Sequence, residues 1–335
     1  MKCLLIGGGH RGLHGFVPAI QACGLDLVAV CDTDPSVEGP LRLALAKIGI
    51  DAGRVRLHSD LEEALAQHQP DVAIVATSPA SHLEIVKTLI KAGIPIFKEK
   101  PFAVSLRDAH ELAEIIEKHD AYMRLSTQRH YSPTYRHASN LLYEVGQVTS
   151  FTATDHRLAD RFDLGWRAEP SMMGGNVLAD FGYHMIDVLQ WFFGTPQAVA
   201  VQPQKDPRVG ERPELAALVK IAYPHDIVGT LSLSICDPER VEALDVCGHA
   251  GRLRVSTDSF TRFAPDGGVV DRLSREPRWP SGVLEVLKVF LQDLGRSDLS
   301  RAEAQRGVAV TAAIEAMFQS AATGRQVVVA ADRIK

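Results

Sequence analysis

The chain has 335 residues, a formal net charge of -5 and an apolar share of 46%. That length exceeds the usual size of a single hydrophobic core, so two domains are expected. A negative net charge without any basic run argues against nucleic acid as a main partner. The five cysteines contain no C-x-x-C pair, so neither a disulfide framework nor a metal site is expected.

The opening stretch "MKCLLIGGGH" carries a short apolar run behind one lysine. This run is too short for the core of a signal peptide, and no cleavage site follows it. No apolar run in the sequence approaches the length that crosses a membrane. We therefore expect a cytoplasmic protein that makes no membrane contact.

The first third of the chain alternates short apolar runs with amphipathic segments. The apolar runs are "KCLLIG", "LDLVAVCD", "DVAIVATS", "IPIFKEK" and "AYMRLS", and the amphipathic segments include "SHLEIVKTLIKAG" and "SLRDAHELAEIIEKH". This alternation is typical of a parallel sheet covered by helices. It predicts an α/β domain over residues 1–125.

A different pattern follows the segment "SPTYRHASNLLYEVG", which we expect to be helical. Alternating strands come one after another without helices between them: "QVTSFTATDHRL", "ELAALVKIAYP", "DIVGTLSLSIC", "VEALDVCG" and "GRLRVST". They predict a second domain over residues 126–335 with an antiparallel or mixed sheet. Two further helices are predicted, "SGVLEVLKVFLQDLG" and "RAEAQRGVAVTAAIEAMFQSAATG", and "APDGGVVDRLSREPRWP" is predicted to be a surface loop.

The stretch "GGGHRG", residues 7–12, fits the pattern G-x-G-x-x-G directly after a predicted strand. Glycines allow a tight turn and a close approach to a diphosphate, whose charge is then held at a helix N-terminus. We take Gly7, Gly9 and Gly12, with His10 and Arg11 between them, as candidate cofactor-binding residues.

Asp32 ends the second predicted strand, twenty residues after Gly12. An acid at this position accepts hydrogen bonds from ribose hydroxyls and repels a 2'-phosphate. NAD is therefore favoured over NADP. The alternative is a tight turn with an unrelated surface aspartate.

The helix predicted over "NVLADFGYHMIDV", residues 176–188, places Asp180, His184 and Asp187 among apolar residues. Positions i, i+4 and i+7 share one helix face, so the three side chains can point into one cavity. Two other interpretations stay open on this stretch alone. The three can form a solvated face, or an internal network in which the imidazole donates to the carboxylates.

Three motifs occur in order along the chain: G-x-G-x-x-G, then "KEKP" at residues 98–101, then "GGNVLADFGYHMID" in the pattern G-G-x(4)-D-x-G-x-H-x-x-D. Taken by itself, a lysine in "KEKP" is typical of a strand end that is exposed to solvent. Together the motifs resemble the glucose-fructose oxidoreductase / inositol dehydrogenase / MocA family. The similarity covers nearly the whole chain, including "VAIVATSPASHLEIVKTLIKAG" and "AMFQSAATGRQVVV".

The resemblance implies an N-terminal Rossmann domain and a C-terminal α/β domain with a large open-faced, mostly antiparallel sheet. It also implies pairing through that sheet into homodimers or homotetramers. Lys100, Asp180 and His184 match the family's catalytic residues. The positions that match its dinucleotide site are Gly7, Gly9, Gly12, Asp32, Thr77, Ser78, His82, Glu99, Lys100 and Gln128.

The second domain is expected to supply the substrate contacts. Arginine and histidine suit a ligand rich in hydroxyls or bearing a carboxylate. The candidates are Arg129, His156, Arg157, Trp166 and Arg167, together with Lys100, Asp180 and His184. Each of the first five can equally be an ordinary surface residue.

Oxidation of a secondary alcohol needs a proton acceptor as well as a hydride acceptor. His184 is the first choice for general base because a neutral imidazole titrates near working pH. Asp180 orients the imidazole or a substrate hydroxyl, and Lys100 stabilises the developing charge on the reacting oxygen. Asp187 is expected to anchor the helix. The sequence leaves open which of His184 and Asp180 carries the proton.

The predicted function is that of an NAD-dependent dehydrogenase acting on a sugar, inositol, sugar acid or related polyol. Two alternatives stay open. The first is a glycosidase that uses bound NAD for transient oxidation, a chemistry found in the same family. The second is a non-catalytic regulatory protein that senses the cofactor, which the complete set Lys100, Asp180 and His184 disfavours.

Overall fold

The computed structural model describes residues 1–158, 177–204, 215–275 and 281–330. The chain folds into two compact units. The first comprises Met1–Gln128 and Arg278–Gln305, and the second comprises Arg129–Pro277 and Arg306–Lys335. In the described residues, no helix is both long enough and apolar enough to cross a membrane.

The first unit is built on a six-stranded sheet whose paired strands are all parallel. With elements numbered along the whole chain, its members are β1 (Lys2–Ile6), α1 (Val17–Ala22), β2 (Asp26–Cys31), α2 (Glu38–Lys47), β3 (Arg56–His58), α3 (Leu61–His68), β4 (Val72–Val75), α4 (His82–Lys91), β5 (Ile96–Lys98), α5 (Leu106–Lys118), β6 (Met123–Leu125), α9 (Ser281–Gln292) and the start of α10 (Ser297–Thr323). The strand order β3-β2-β1-β4-β5-β6 is that of a doubly wound dinucleotide-binding fold. The predicted Rossmann domain is confirmed.

The edge strand β6 is capped by residues from the C-terminal part of the chain. The Leu125 N–H donates to Glu303 Oε1 at 2.7 Å, and the Met123 N–H donates to Ser300 Oγ at 2.9 Å. The Tyr122 ring stacks on Phe290 with centroids 5.3 Å apart. Because an unpaired strand edge needs partners for its backbone groups, these contacts explain why α9 packs with the first unit. The range 126–335 predicted for the second domain includes α9.

The second unit holds a nine-stranded sheet in the order β14-β13-β12-β11-β7-β10-β9-β8-β15. Its elements are α6 (Pro133–Asn140), β7 (Val148–Leu158), α7 (Val177–Asp180), α8 (Gly182–Phe193), β8 (Ala198–Gln204), β9 (Ala216–Ala222), β10 (Val228–Ser234), β11 (Cys236–Gly248), β12 (Gly251–Val255), β13 (Ser259–Phe263), β14 (Val269–Ser274), the remainder of α10 and β15 (Val327–Val328). Among the described strand pairs of this nine-stranded sheet, only β7–β10 is parallel. The mostly antiparallel sheet expected for this part of the chain is confirmed.

One sequence-based prediction in this unit is wrong. The stretch 264–280 was predicted to be a surface loop, but its residues 269–274 form β14, which pairs antiparallel with β13. Gly267 has a φ of 87° and donates its N–H to the Ala264 carbonyl, so the Pro and Gly content marks only the turn of a hairpin. The remainder of that stretch includes residues 276–280, which lie outside the described residues.

Candidate active site

The candidate cofactor-binding residues of the first unit follow the ends of β1, β2, β4 and β5. Strands β1, β2, β4 and β5 are parallel, so their carboxyl ends lie on one edge of the sheet, where ligands of such sheets bind. Three contacts join the loops there: the Gly7 turn packs on Ala76, the Gly8 N–H donates to Asp32, and Arg11 pairs with Glu99.

The turn after β1 admits only glycine at two positions. Gly7 has a φ of 101°, and a Cβ there would lie 2.6 Å from the Ala76 carbonyl carbon. A Cβ on Gly12 would lie 2.1 Å from the Gly7 oxygen. Gly9 differs, because a Cβ there meets no atom within 4 Å. The backbone thus leaves an open cradle at Gly9 that suits the diphosphate of a dinucleotide, so these residues fit NAD.

Asp32 directs its carboxylate at this turn. Its Oδ2 accepts from the Gly8 N–H at 2.6 Å and its Oδ1 accepts from the Asp34 N–H at 3.0 Å. Two backbone donors hold the carboxylate in place beside the glycine turn. The position fits the role of ribose acceptor predicted from sequence.

Arg11 turns toward the end of β5. Its guanidinium pairs with the Glu99 carboxylate at 3.0 Å and lies 5.2 Å from the centre of the Phe16 ring. The Glu99 side chain is 11% exposed, so the ion pair is largely removed from solvent. The other loop residue, His10, is exposed and its ring lies 4.6 Å from that of His14.

The loop after β4 holds three of the predicted cofactor positions in different surroundings. Thr77 and Ser78 are half-buried, and Ser81 Oγ lies 2.8 Å from Thr77 Oγ1. His82 is only 2% exposed, with its Nε2 3.1 Å from the Thr77 carbonyl oxygen. Burial lowers the pKa of His82 well below its usual value. His82 therefore supports this loop as a neutral imidazole.

Lys98 and Lys100 flank Glu99 but differ in burial. Lys98 is fully buried, and its Nζ donates to the backbone carbonyls of Glu99 at 3.1 Å and of Pro101. The interpretation of Lys98 as a residue at a solvated strand end is therefore wrong. Burial lowers its pKa to about 7. Lys100 is half-buried, and the Lys100–Pro101 peptide bond is cis.

Gln128 is the last residue of the N-terminal segment of the first unit. It begins a 3₁₀ turn that follows β6. Its side chain packs on Gly282 of α9, where an added Cβ would lie 2.8 Å from Gln128 Oε1.

In the second unit, the predicted helix over 176–188 is two helices. α7 ends at Asp180 and α8 begins at Gly182, with Phe181 between them. The His184 N–H donates to the Phe181 carbonyl, three residues back, and Phe181 itself keeps helical backbone angles. Asp180 and His184 are both half-buried, which excludes a fully solvated face.

Asp187 anchors α8, as expected. The residue is 3% exposed, and its carboxylate lies 2.7 Å from His130 Nε2 and 3.2 Å from Arg306 Nε. Burial raises the pKa of Asp187, but the charges of His130 and Arg306 outweigh that effect and hold it below its ordinary value. Asp187 thus belongs to an internal network that it forms with His130 and Arg306.

Two of the substrate candidates, His156 and Arg157, lie on β7. Arg157 donates to Asp155 at 2.7 Å. Its guanidinium lies 4.4 Å from the centre of the Phe181 ring, and Phe181 directly follows Asp180 in the chain. His156, one residue earlier, contacts Asp237 at 3.1 Å and Ser232 at 2.8 Å. Because successive strand residues alternate between faces, His156 points away from Asp155 and Arg157. Trp166 and Arg167 lie outside the described residues.

Arg129 is bound within a buried ion network. Its guanidinium lies 2.6 Å from Glu242 and 3.2 Å from Asp155, whose side chains are 4% and 0% exposed. Tyr135 also donates to Glu242, at 2.9 Å. Sequence reasoning missed Glu242, which lies 113 residues from Arg129 along the chain. Among the described residues, no group of three or more His, Cys, Asp or Glu side chains is arranged to hold a metal ion.

Comparison with known proteins agrees with this fold. The family model described as "Oxidoreductase family, NAD-binding Rossmann fold" matches residues 1–126, and the one described as "Oxidoreductase family, C-terminal alpha/beta domain" matches residues 140–329. The chain is thus an oxidoreductase with an NAD-binding Rossmann domain. It belongs to the glucose-fructose oxidoreductase / inositol dehydrogenase / MocA family, as the motifs predicted.

The relatives are distant. A D-apiose dehydrogenase from Paraburkholderia graminis is 23% identical over 91% of this chain and 83% of its own length. A D-xylose 1-dehydrogenase (NADP(+)) from Haloferax volcanii is 22% identical over 96% and 98%. Some other matches span less than half of the relative, 41% in one case.

The solved structure of a levoglucosan dehydrogenase in complex with NADH and levoglucosan is similar to this chain throughout. The TM-score is 0.82 at 19% identity, over 98% of this chain and 99% of the other. At this identity the likeness shows the fold.

A matched pair of glycine variants tests the cradle. Gly7→Ala should lower the free energy of unfolding by about 1–3 kcal/mol, because its Cβ meets the backbone of Ala76 at a positive φ. The Cβ added in Gly9→Ala meets no protein atom, so this variant should keep the melting temperature of the parent. Its affinity for NAD should fall, because the Cβ occupies the open cradle. Thermal unfolding and calorimetric titration with NAD measure both. Unchanged NAD affinity in Gly9→Ala would contradict the cradle.

Proposed function

We propose that this protein transfers a hydride between the hydroxyl-bearing carbon of a sugar, inositol, sugar acid or related polyol and NAD. The observation that carries the proposal is the single sheet edge on which the open turn at Gly9, the Asp32 carboxylate and the end of β5 before Lys100 lie together. Relatives that act on D-apiose and D-xylose support the substrate class.

The preference for NAD over NADP rests on two neighbouring side chains. Asp32 is held beside the glycine turn, where its charge attracts ribose hydroxyls and repels a 2'-phosphate. Arg11, the cation of this turn, is paired with Glu99. The relative that is named for NADP is 22% identical to this chain, so its cofactor does not transfer by similarity.

Three side chains carry the proposed chemistry. Bound NAD supplies the hydride acceptor. Lys100 donates a hydrogen bond to the reacting oxygen and stabilises the charge that develops there. His184 takes the hydroxyl proton, and Asp180 orients the imidazole and stabilises its charged form.

Arg157 is the described residue with the strongest case for a substrate contact. Its guanidinium covers Phe181, which joins the helices that carry Asp180 and His184. Arg129 is less suited, because two carboxylates bind its guanidinium and its side chain is 8% exposed, whereas Arg157 pairs with Asp155 and is 25% exposed. Trp166 and Arg167 stay candidates from the sequence. We also propose pairing of subunits through the nine-stranded sheet.

The cofactor preference is tested by removal of one charge. Asp32→Ala should lower the ratio of the NADP dissociation constant to the NAD dissociation constant by about tenfold or more. NAD loses hydrogen bonds to a charged acceptor in this variant, and the repulsion of the 2'-phosphate of NADP is relieved. Asp34→Ala removes an exposed carboxylate two residues away and should change the ratio far less. Fluorescence titration with both reduced cofactors gives the constants. Tighter NADP binding by the parent protein would contradict the assignment.

Catalysis is tested by NADH formation on a panel of D-apiose, D-xylose, levoglucosan and myo-inositol. On the best substrate, Lys100→Ala and His184→Ala should each lower kcat by about two orders of magnitude or more, the scale for a lost charge stabiliser or general base, with NAD affinity nearly intact. Steady release of NADH also separates a dehydrogenase from a glycosidase with transient oxidation.

The exposed residues Lys118 and His249 provide matched controls, and Lys118→Ala and His249→Ala should keep the parent kcat. Full turnover in Lys100→Ala and His184→Ala would remove the proposed roles. If only His184→Ala is impaired, the general base stands and Lys100 becomes a residue that positions the cofactor.

A further inference from the structure

Lys98 is a buried amine that the proposed chemistry does not use. It ends β5 next to Ile96 and Phe97, and all three residues are 0% exposed. Lysine is almost never buried completely unless its polar atoms have partners. A residue that served only to fill the core here would be apolar. The amine therefore needs an explanation from its contacts.

The two acceptors of the Lys98 amine lie on either side of Lys100. Its Nζ donates to the carbonyl of Glu99, which precedes Lys100, and to the carbonyl of Pro101, which follows it. The start of the same loop is held by the Glu99 N–H, which donates to the Val75 carbonyl at 2.8 Å. One buried side chain thus ties the backbone before and after Lys100.

The titratable groups near Lys98 are neutral or paired with another residue, so its amine bonds to these two carbonyls. His82 of α4 is a buried neighbour whose pKa is lowered by burial and further by the charges of Lys98 and Lys100. The Glu99 carboxylate is paired with Arg11. A neutral amine still has two N–H donors, which equals the number of its carbonyl acceptors. Both contacts therefore persist whether or not Lys98 carries a proton.

We propose that Lys98 is a positioning residue that fixes the Glu99–Pro101 backbone so that Lys100 is presented in one orientation. The proposal rests on the function proposed for Lys100. It assigns Lys98 no contact with substrate or cofactor.

The first test needs no substrate. In the NAD-bound protein, hydrogen exchange of the Lys100 and Phe102 amides should be about tenfold faster in Lys98→Met than in the parent, because the loop loses two hydrogen bonds. Met is unbranched, one atom shorter than Lys, and fills most of the apolar site. Lys91→Met, at an exposed lysine on α4, is the control and should leave exchange unchanged. Parent-like exchange in Lys98→Met would overturn the proposal.

The second test is a double-mutant cycle on kcat. Lys98→Met alone should lower kcat by about ten- to a hundredfold with little change in NAD affinity, the scale of a misplaced catalytic group. In the Lys100→Ala background the same change should cost nothing further, because Lys98 acts through Lys100. An equal loss in both backgrounds, or no loss in either, would overturn the role of Lys98.

The two proposals fail in different ways. Full activity of Lys100→Ala would remove the proposed catalytic lysine, whereas an impaired Lys100→Ala with an independent effect of Lys98→Met would remove only the positioning role. Should Lys98→Met not fold, both tests are run with Lys98→Gln, which keeps N–H donors on a shorter side chain. The exchange rates and the kcat of Lys98→Gln should lie between the parent's values and the values expected for Lys98→Met. Values equal to the parent's would overturn the proposal.

Discussion

The parallel pairing of β1, β2, β4 and β5 is the constraint on which the candidate site of the first unit depends. Parallel strands end on the same edge, so residues distant in sequence become neighbours there: the Gly8 N–H meets Asp32, Gly7 packs on Ala76, and Arg11 reaches Glu99 across 88 positions. The close approach at Gly7 has no room for a side chain, while Gly9 faces open space. One edge thus combines a backbone cradle with a carboxylate suited to ribose.

Burial of charge organises the second unit in a similar way. Arg129 and Arg157 share the Asp155 carboxylate, and Glu242 binds Arg129 from the neighbouring strand β11. Asp187 is held by His130 and Arg306. Removal of one partner from such a cluster leaves an uncompensated buried charge, which costs about 3–5 kcal/mol. These clusters therefore help to fix β7, which carries Arg157, and α8, which carries His184.

The sequence predicted the elements whose own residues carry the signal. The buried strands of the first unit are continuous apolar runs, and the glycine turn, Asp32 and the motif around Lys100 can be recognised by spacing. What escaped prediction depends on distant or backbone partners. Lys98 is buried because two carbonyls accept from it, and carbonyls leave no trace in a sequence. The partner of Arg129 lies 113 residues away. The edge strand β14 exposes Val269 and Val270, so its residues lack the alternation typical of a half-buried strand.

We propose that the edge formed by β1, β2, β4 and β5 binds NAD with its nicotinamide near Lys100. A crystal structure of the protein with NAD tests this binding mode. The diphosphate should lie against the backbone amides of the turn at Gly9, the adenosine ribose hydroxyls on the Asp32 carboxylate, and the nicotinamide beside the Glu99–Pro101 loop. A dinucleotide bound away from this edge, or one whose diphosphate does not touch the turn at Gly9, would rule out this binding mode.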